Sequence, residues 1–297
     1  MRMMILPLFL LGAVPMAAQT TTAAAAPAPA AKAPEAPKPA PLRLPRPSPN
    51  ATLTQSVGLT DITIKYSRPG VKGRPIWGAL VPYDMVWRTG ANEATTITFS
   101  DDVTIEGTKL AAGTYSLHTI PSRNEWTIVF NNVSNQWGSF SYDPAKDALR
   151  VKAKPERAEF REWLSFEVPE MSNDMAKIMI RWENLGVPFT VTTGSTAKAM
   201  ANARTAIAEA AKDDWTTPYR AADYAFQNGD NTDAQAWLDR SMSVKQTMAG
   251  LWLKARMQGK AGDKATALKT ADAALALAGP NDKDFAGEIR RLSDLWK

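Results

Sequence analysis

The chain has 297 residues, 44% of them hydrophobic, with 35 Lys and Arg against 30 Asp and Glu, a single His and no Cys. That content is enough for a sizeable core, and the lack of Cys excludes disulfides, thiolate metal ligands, Cys nucleophiles and lipid attachment through Cys. The formal net charge of +5 is mild and scattered, with no basic stripe interleaved with aromatics, so nucleic-acid binding is not expected.

The N-terminus reads as a secretory signal over residues 1–18. Arg2 supplies the positive region, Met3 to Val14 forms an apolar run too short to span a bilayer, and Met16-Ala17-Ala18 offers small residues for cleavage. Export to the periplasm or the extracellular space is therefore expected. Residues 19–46 are dominated by Ala and Pro. They bury too little apolar surface to offset ordering entropy and read as a disordered, semi-rigid linker. No later segment is long and apolar enough for a membrane span.

From residue 47 to 193 the apolar residues alternate with period two. Ile62, Ile64 and Tyr66 alternate with Thr63 and Lys65, and Ile97 and Phe99 with Thr96 and Thr98. Val103 and Ile105 run into a Glu106-Gly107 turn, and Gly113 to Ile120 alternates again before Pro121. Trp126 to Asn131, Leu149 to Ala153, Phe160 to Val168, Ala176 to Trp182 and Val187 to Thr193 complete a set of roughly nine short strands. One polar face per strand predicts antiparallel pairing, hence an all-β antiparallel sandwich or barrel.

After Thr193 the period changes. Ala234, Trp237, Leu238, Ser241 and Met242 fall on one face of a helix. Asn228-Gly229-Asp230 and Ala261-Gly262-Asp263 repeat the same punctuation. A slide of ~33 residues also matches Tyr219 with Trp252, Ala222 with Ala255, and Ala234 with Ala267. Residues 195–297 are thus an α-helical, tetratricopeptide-like region with room for about two repeats, a plain helical bundle being the alternative.

The stretch from Arg68 to Phe99 stands apart: it packs Trp77, Tyr83, Trp87, three Arg, Lys72 and Glu93 between Gly and Pro. The runs Ser67-Arg68-Pro69, Lys72-Gly73-Arg74, Trp77-Gly78, Leu80-Val81-Pro82-Tyr83 and above all Val86-Trp87-Arg88-Thr89-Gly90-Ala91-Asn92-Glu93-Ala94-Thr95 carry a family likeness. So do Ala112-Gly113-Thr114-Tyr115-Ser116-Leu117, Ile120-Pro121, Glu125-Trp126-Thr127, Asn131, Gln136-Trp137-Gly138 and Tyr142-Asp143. Across residues 47–193 the chain resembles the bacterial family catalogued as domain of unknown function 2911. The resemblance implies an exported β domain, often followed by helical repeats. It supplies no reaction, so no catalytic residue carries over.

Candidate ligand contacts concentrate in that stretch. Arg88 suits an anion or carboxylate clamp, Glu93 an acceptor for sugar hydroxyls, and Trp87 a stacking platform beside Asn92; alternatively Arg88 and Glu93 pair with each other and brace the loop. Arg68, Lys72 and Arg74 form a small basic cluster that suits a phosphate or an acidic glycan, or else a solvated turn. It lacks the spacing of a phosphate-binding loop. His118, the lone His, is a base candidate or a hydrogen-bonded structural residue, with no second His for a zinc site. Adjacent Asp101 and Asp102 point apart on an extended chain, and Trp126, Trp137, Trp163 and Trp182 read as core or rim aromatics. No metal site and no cofactor are expected. The leading expectation is a non-catalytic binding module of the cell envelope that holds a small polar ligand or glycan, with the helical tail packing on it or engaging a protein partner. The alternative is a hydrolase of an envelope carbohydrate or ester, with Glu93 or His118 as general base.

Overall fold

A computed structural model describes residues 44–297. The expected signal segment and most of the expected linker lie outside the described residues.

Ten strands form two antiparallel sheets: β1 (Asn50–Val57), β2 (Thr60–Ser67), β3 (Thr96–Phe99), β4 (Val103–Ile105), β5 (Thr108–Leu110), β6 (Gly113–Ile120), β7 (Trp126–Asn131), β8 (Asp147–Ala153), β9 (Glu156–Met171) and β10 (Met175–Thr192). One sheet runs β1-β2-β3-β6-β7-β8 and the other β5-β4-β10-β9, so the fold is a sandwich with open edges and not a closed barrel. The alternation seen in the sequence sets the inner faces. Ile62, Ile64, Ile97, Phe99, Leu117, Ile128 and Phe130 on the first sheet meet Leu164, Ile178, Trp182, Phe189 and Val191 on the second, all nearly inaccessible to solvent. Glu106 and Gly107 both take left-handed backbone, which suits the tight turn of the β4–β5 hairpin.

Two strands are longer than the alternation predicts. The segments expected as separate strands around Phe160–Val168, Ala176–Trp182 and Val187–Thr193 form only two, β9 and β10. The pairing absorbs register shifts between Lys177 and Met179, between Arg181 and Glu183 and between Glu183 and Leu185. Each shift inserts residues without ending the strand, so the apolar pattern loses phase while the ladder continues. Gly186 keeps the passage open: a Cβ there would lie 2.9 Å from the Met179 sulfur.

Six helices follow: α1 (Ser195–Glu209), α2 (Thr216–Gln227), α3 (Asn231–Val244), α4 (Met248–Lys260), α5 (Lys264–Leu275) and α6 (Lys283–Ser293). The helical hairpins α2–α3 and α4–α5 share one corner. Gly229 and Gly262 both turn with positive φ, 85° and 91°. The next residues, Asp230 and Asp263, then cap α3 and α5 by accepting from Asp233 N–H and Thr266 N–H. The helical core divides into a cluster around Phe226, Trp237 and Leu238 and another around Trp252, Ala271 and Ile289. The joint between sandwich and helices is polar: Ser195 Oγ donates to Val57 O at 3.0 Å and accepts from Leu59 N–H at 3.0 Å, and Lys198 Nζ reaches Asp102 O at 3.1 Å. Gly58 in the β1–β2 turn has no room for a Cβ, which would fall 2.2 Å from that of Ser195.

Among the described residues no helix is long and apolar enough to cross a membrane.

Candidate functional site

The stretch from Arg68 to Thr95 is a strap between β2 and β3, and most of its unusual residues hold it down. Val71 N–H donates to Glu162 O at 2.8 Å and Leu164 N–H to Pro69 O at 3.1 Å, which covers the exposed edge of β9. Trp77 and Trp87 then turn inward to join Trp126 and Trp182. Trp77 meets Trp126 edge-on at 5.0 Å, and Trp87 stacks on Trp182 at 5.8 Å with an interplanar angle of 19°. Trp87 also exchanges backbone hydrogen bonds with Thr119, both at 2.8 Å, and its indole N–H donates to Gly90 O at 3.1 Å. Trp182 occupies one face of the half-buried Trp87 ring, so this indole anchors the strap to the core. Trp126 and Trp182 lie in the core, while Trp137 and Trp163 are at the rim.

The basic cluster does not converge. Arg68 Nε donates to Leu164 O at 2.8 Å, and Arg74 donates through Nε and Nη2 to Val71 O at 3.1 Å and Gly70 O at 2.6 Å. Lys72 Nζ lies 5.7 Å above the Trp163 ring. Arg68 and Arg74 thus satisfy carbonyls of the strap and of β9, while Lys72 lies over an indole.

Arg88 and Glu93 do not pair either. Thr89 and Asn92 both take left-handed backbone, φ 52° and 59°, and the two side chains reach different surroundings. Glu93 pairs with Arg46 at 3.0 Å, each about half exposed, and the hydrogen bond from Arg46 holds its carboxyl below the usual range. Asn92 Nδ2 donates to Ser48 O at 3.2 Å, and together these contacts pin the incoming chain beside β1.

The outer face of the six-stranded sheet carries a feature that runs across every strand. The register aligns Thr52 with Lys65, Lys65 with Thr96, Thr96 with Ser116, Ser116 with Asn131 and Asn131 with Asp147. This is one continuous polar rung. The segment between β7 and β8 covers half of it. Asn131 Nδ2 donates to Asp143 O at 2.9 Å and to Asp147 Oδ1 at 2.8 Å, while its Oδ1 accepts from Val133 N–H at 2.9 Å. Tyr142 donates to Asp147 Oδ2 at 2.7 Å. Burial and this contact with Asp147 push the Tyr142 phenol up to about 12.

His118 lies under the same cover and is fully buried. Its Nε2 is 3.1 Å from Ser116 Oγ and 3.3 Å from Gln136 Nε2, and its Nδ1 is 3.1 Å from Ser139 Oγ. Burial lowers its pKa to about 4, against the weaker opposing pull of Asp147, so the ring is neutral near pH 7.

The uncovered half of the rung opens into a groove of ≈ 330 Å³. Its floor is Thr52, Lys65 and Thr96, and Glu93, Asn50, Asn135 and Gln136 stand around it. Glu93 and Asn92 thus stand at or beside this groove, while Arg68, Lys72, Arg74, Trp87, Arg88 and His118 are not in its lining. Sequence reasoning missed Lys65, Thr96, Ser116, Asn131 and Asp147. Each is an ordinary outward residue of an alternating strand, and only the register brings them into one row. Among the described residues no group of three or more His, Asp or Glu could hold a metal ion.

The architecture and site define a β-sandwich module with a polar groove on one sheet, carried on a tail of helical hairpins. Residues 48–191 match the family model described as "Protein of unknown function (DUF2911)", and the β region is a domain of that family. No curated protein and no solved structure matches the chain.

Proposed function

We propose that this protein is an exported binding module of the cell envelope whose β domain holds a small, hydroxyl-rich ligand such as a glycan in the groove on its six-stranded sheet. The observation that carries this reading is the polar rung: an open sheet face bearing Lys65, Thr96 and Thr52 in register, walled by Glu93 and Gln136. Side chains anchored on neighbouring strands offer donors and acceptors at fixed spacing, as recognition of sugar hydroxyls requires. Hydrolysis finds less support. Glu93 is the single carboxylate in the groove lining, and the Ser116–His118 pair lies fully buried. The helical tail offers a second surface, a cleft of ≈ 360 Å³ between α3 and α4 lined by Asn231, Gln235, Met257 and Gln258, for a protein partner.

The test is calorimetric titration with a panel of neutral envelope oligosaccharides. Binding should weaken at least about tenfold in Lys65→Ala and in Glu93→Gln, since each removes a charge-assisted hydrogen bond. Saturable binding that both variants leave unchanged would move the site elsewhere. Intact mass of the exported protein tests the compartment: a chain beginning near Gln19 is expected.

A further inference from the structure

Arg88 and Arg181 each hold a buried Nε with no hydrogen-bond partner, but Arg181 still donates through Nη2 to Glu159 O, whereas no side-chain hydrogen bond is made by Arg88 among the described residues. Among the described residues, Arg68, Arg74, Arg181 and Arg240 donate to carbonyls, and Arg46, Arg150, Arg204 and Arg256 donate to carboxylates. Arg88 is half-buried, its Nε is inaccessible to water, and it has neither a hydrogen-bond acceptor nor an acidic partner there. A buried donor left unpaired is costly; Nε itself is closed to water, so a ligand would meet this guanidinium at Nη1 and Nη2.

Three further features support the position. Arg88 Nη1 lies over Gly138, where an added Cβ would come within 3.1 Å of it and 2.9 Å of the Phe140 ring, so glycine keeps that space open. The next residue, Thr89, is β-branched and fully buried yet held at φ 52°, clamped by Thr95 Oγ donating to its carbonyl at 2.8 Å and by its own hydroxyl donating to Thr119 at 3.2 Å. Strained backbone of this kind persists where the surroundings impose it, and it collects at ligand clamps. Beside Gly138 stand Trp137 and Phe140, 59% and 85% exposed, an unusual pair to leave in solvent. This place is not the groove. Arg88, Trp137, Gly138 and Phe140 are all absent from the groove lining.

We propose that Arg88 is the receptor for a carboxylate-bearing ligand, whose apolar face rests against Trp137 and Phe140. A guanidinium presents a planar fork that matches a carboxylate in two parallel hydrogen bonds. An acidic sugar and a peptide C-terminus both carry that group beside an apolar surface. The inference stands apart from the groove reading: Lys65→Ala, which disturbs the groove, leaves the Arg88 response intact.

The experiment measures thermal unfolding and titration of the full chain with glucuronate, glucose, inorganic phosphate, and a short peptide with a free or an amidated C-terminus. The expected result is saturable stabilisation by glucuronate or by the free peptide, weakened about tenfold or more in Arg88→Gln and reduced in Phe140→Ala, whose exposed side chain is not needed for folding. Which of the two stabilises identifies the source of the carboxylate. Without ligand, Arg88→Met should melt at or above the wild-type temperature, because it removes an unpartnered, partly desolvated charge. The proposal is overturned if Arg88→Met and Arg88→Gln melt well below wild type or fail to fold, which would make Arg88 a structural brace. It is equally overturned if glucose or phosphate acts as strongly as the carboxylates, or if neither carboxylate has an effect that Arg88→Gln removes.

Discussion

The sandwich and the helical region bury different chemistry. The sandwich core is built of Ile, Phe and Trp, and close to it the same fold buries Thr89, Ser116, His118, Thr119 and Asn131 without exposing them at all. The helical region packs many small side chains, Ala222, Ala225, Ala234, Ala255, Ala267, Ala271 and Ala274, with Ser241 and Ser293 as its buried polar residues beyond the joint at Ser195. Helices satisfy their own backbone, so small residues let them approach closely and few polar side chains are needed. An irregular strap and a covering loop expose carbonyls and amides that side chains must satisfy. The difference teaches where specificity resides. The helical part specifies shape, and the polar investment sits on one sheet of the sandwich, beside the groove and Arg88.

The largest expected effect falls in the sandwich. Trp182 is 1% exposed and touches both Trp77 and Trp87. Trp182→Ala should cost ~3–5 kcal/mol in denaturant unfolding, and a loss near zero would mean that the strap is not anchored through its indoles. In the helices, Leu238 is fully buried, and Leu238→Ala should cost ~2–5 kcal/mol. Because the joint is made by Ser195 and Lys198 and not by a shared apolar cluster, this change should lower the melting of the helical part more than that of the sandwich. Equal shifts in both would break the comparison.

His118 sharpens it by pH. Its folded pKa of about 4 lies below the unfolded value, so the folded state binds fewer protons between the two. The stability this gives is complete above ~6.5 and is lost as pH falls toward 4, by about 3 kcal/mol in all. His118→Gln should flatten the stability profile in that window, and the helical region, which has no His, should show no corresponding step. The smallest effect is at the surface. Arg46 and Glu93 are each about half exposed, so Glu93→Gln should change stability by under ~1 kcal/mol. A larger loss would make the pair a structural clasp on the incoming chain.

Much of this was legible before any coordinates. Alternation at Ile62–Tyr66, Ile97–Phe99 and Tyr115–Thr119 marks strands because side chains on a strand must alternate between core and water. The recurrence of Gly229-Asp230 at Gly262-Asp263 marks helical corners because each needs a positive φ followed by a cap. The strap is recognisable as special from its composition, but what its residues touch is not: Trp182 beside Trp87, and the carbonyls of Gly70, Val71 and Leu164 beside Arg74 and Arg68, come from distant segments or from the fold of the strap itself. The bulges in β9 and β10 were hidden because an inserted residue erases the periodic signal on which strand recognition depends.

Sequence alone therefore determined the classes of structure, all-β then all-α, and the family of the β region, since periodicity and motif are local properties of the chain. Tertiary structure decided everything that depends on register and on long-range partners. It aligned Thr52, Lys65, Thr96, Ser116, Asn131 and Asp147 into one rung, gave Glu93 to Arg46, and left Arg88 without an acceptor among the described residues. The reason is physical. A strand's alternation says which face a residue takes, but which residue stands beside it across the sheet is set by pairing between segments far apart in the chain, and pairing leaves no mark on either segment alone.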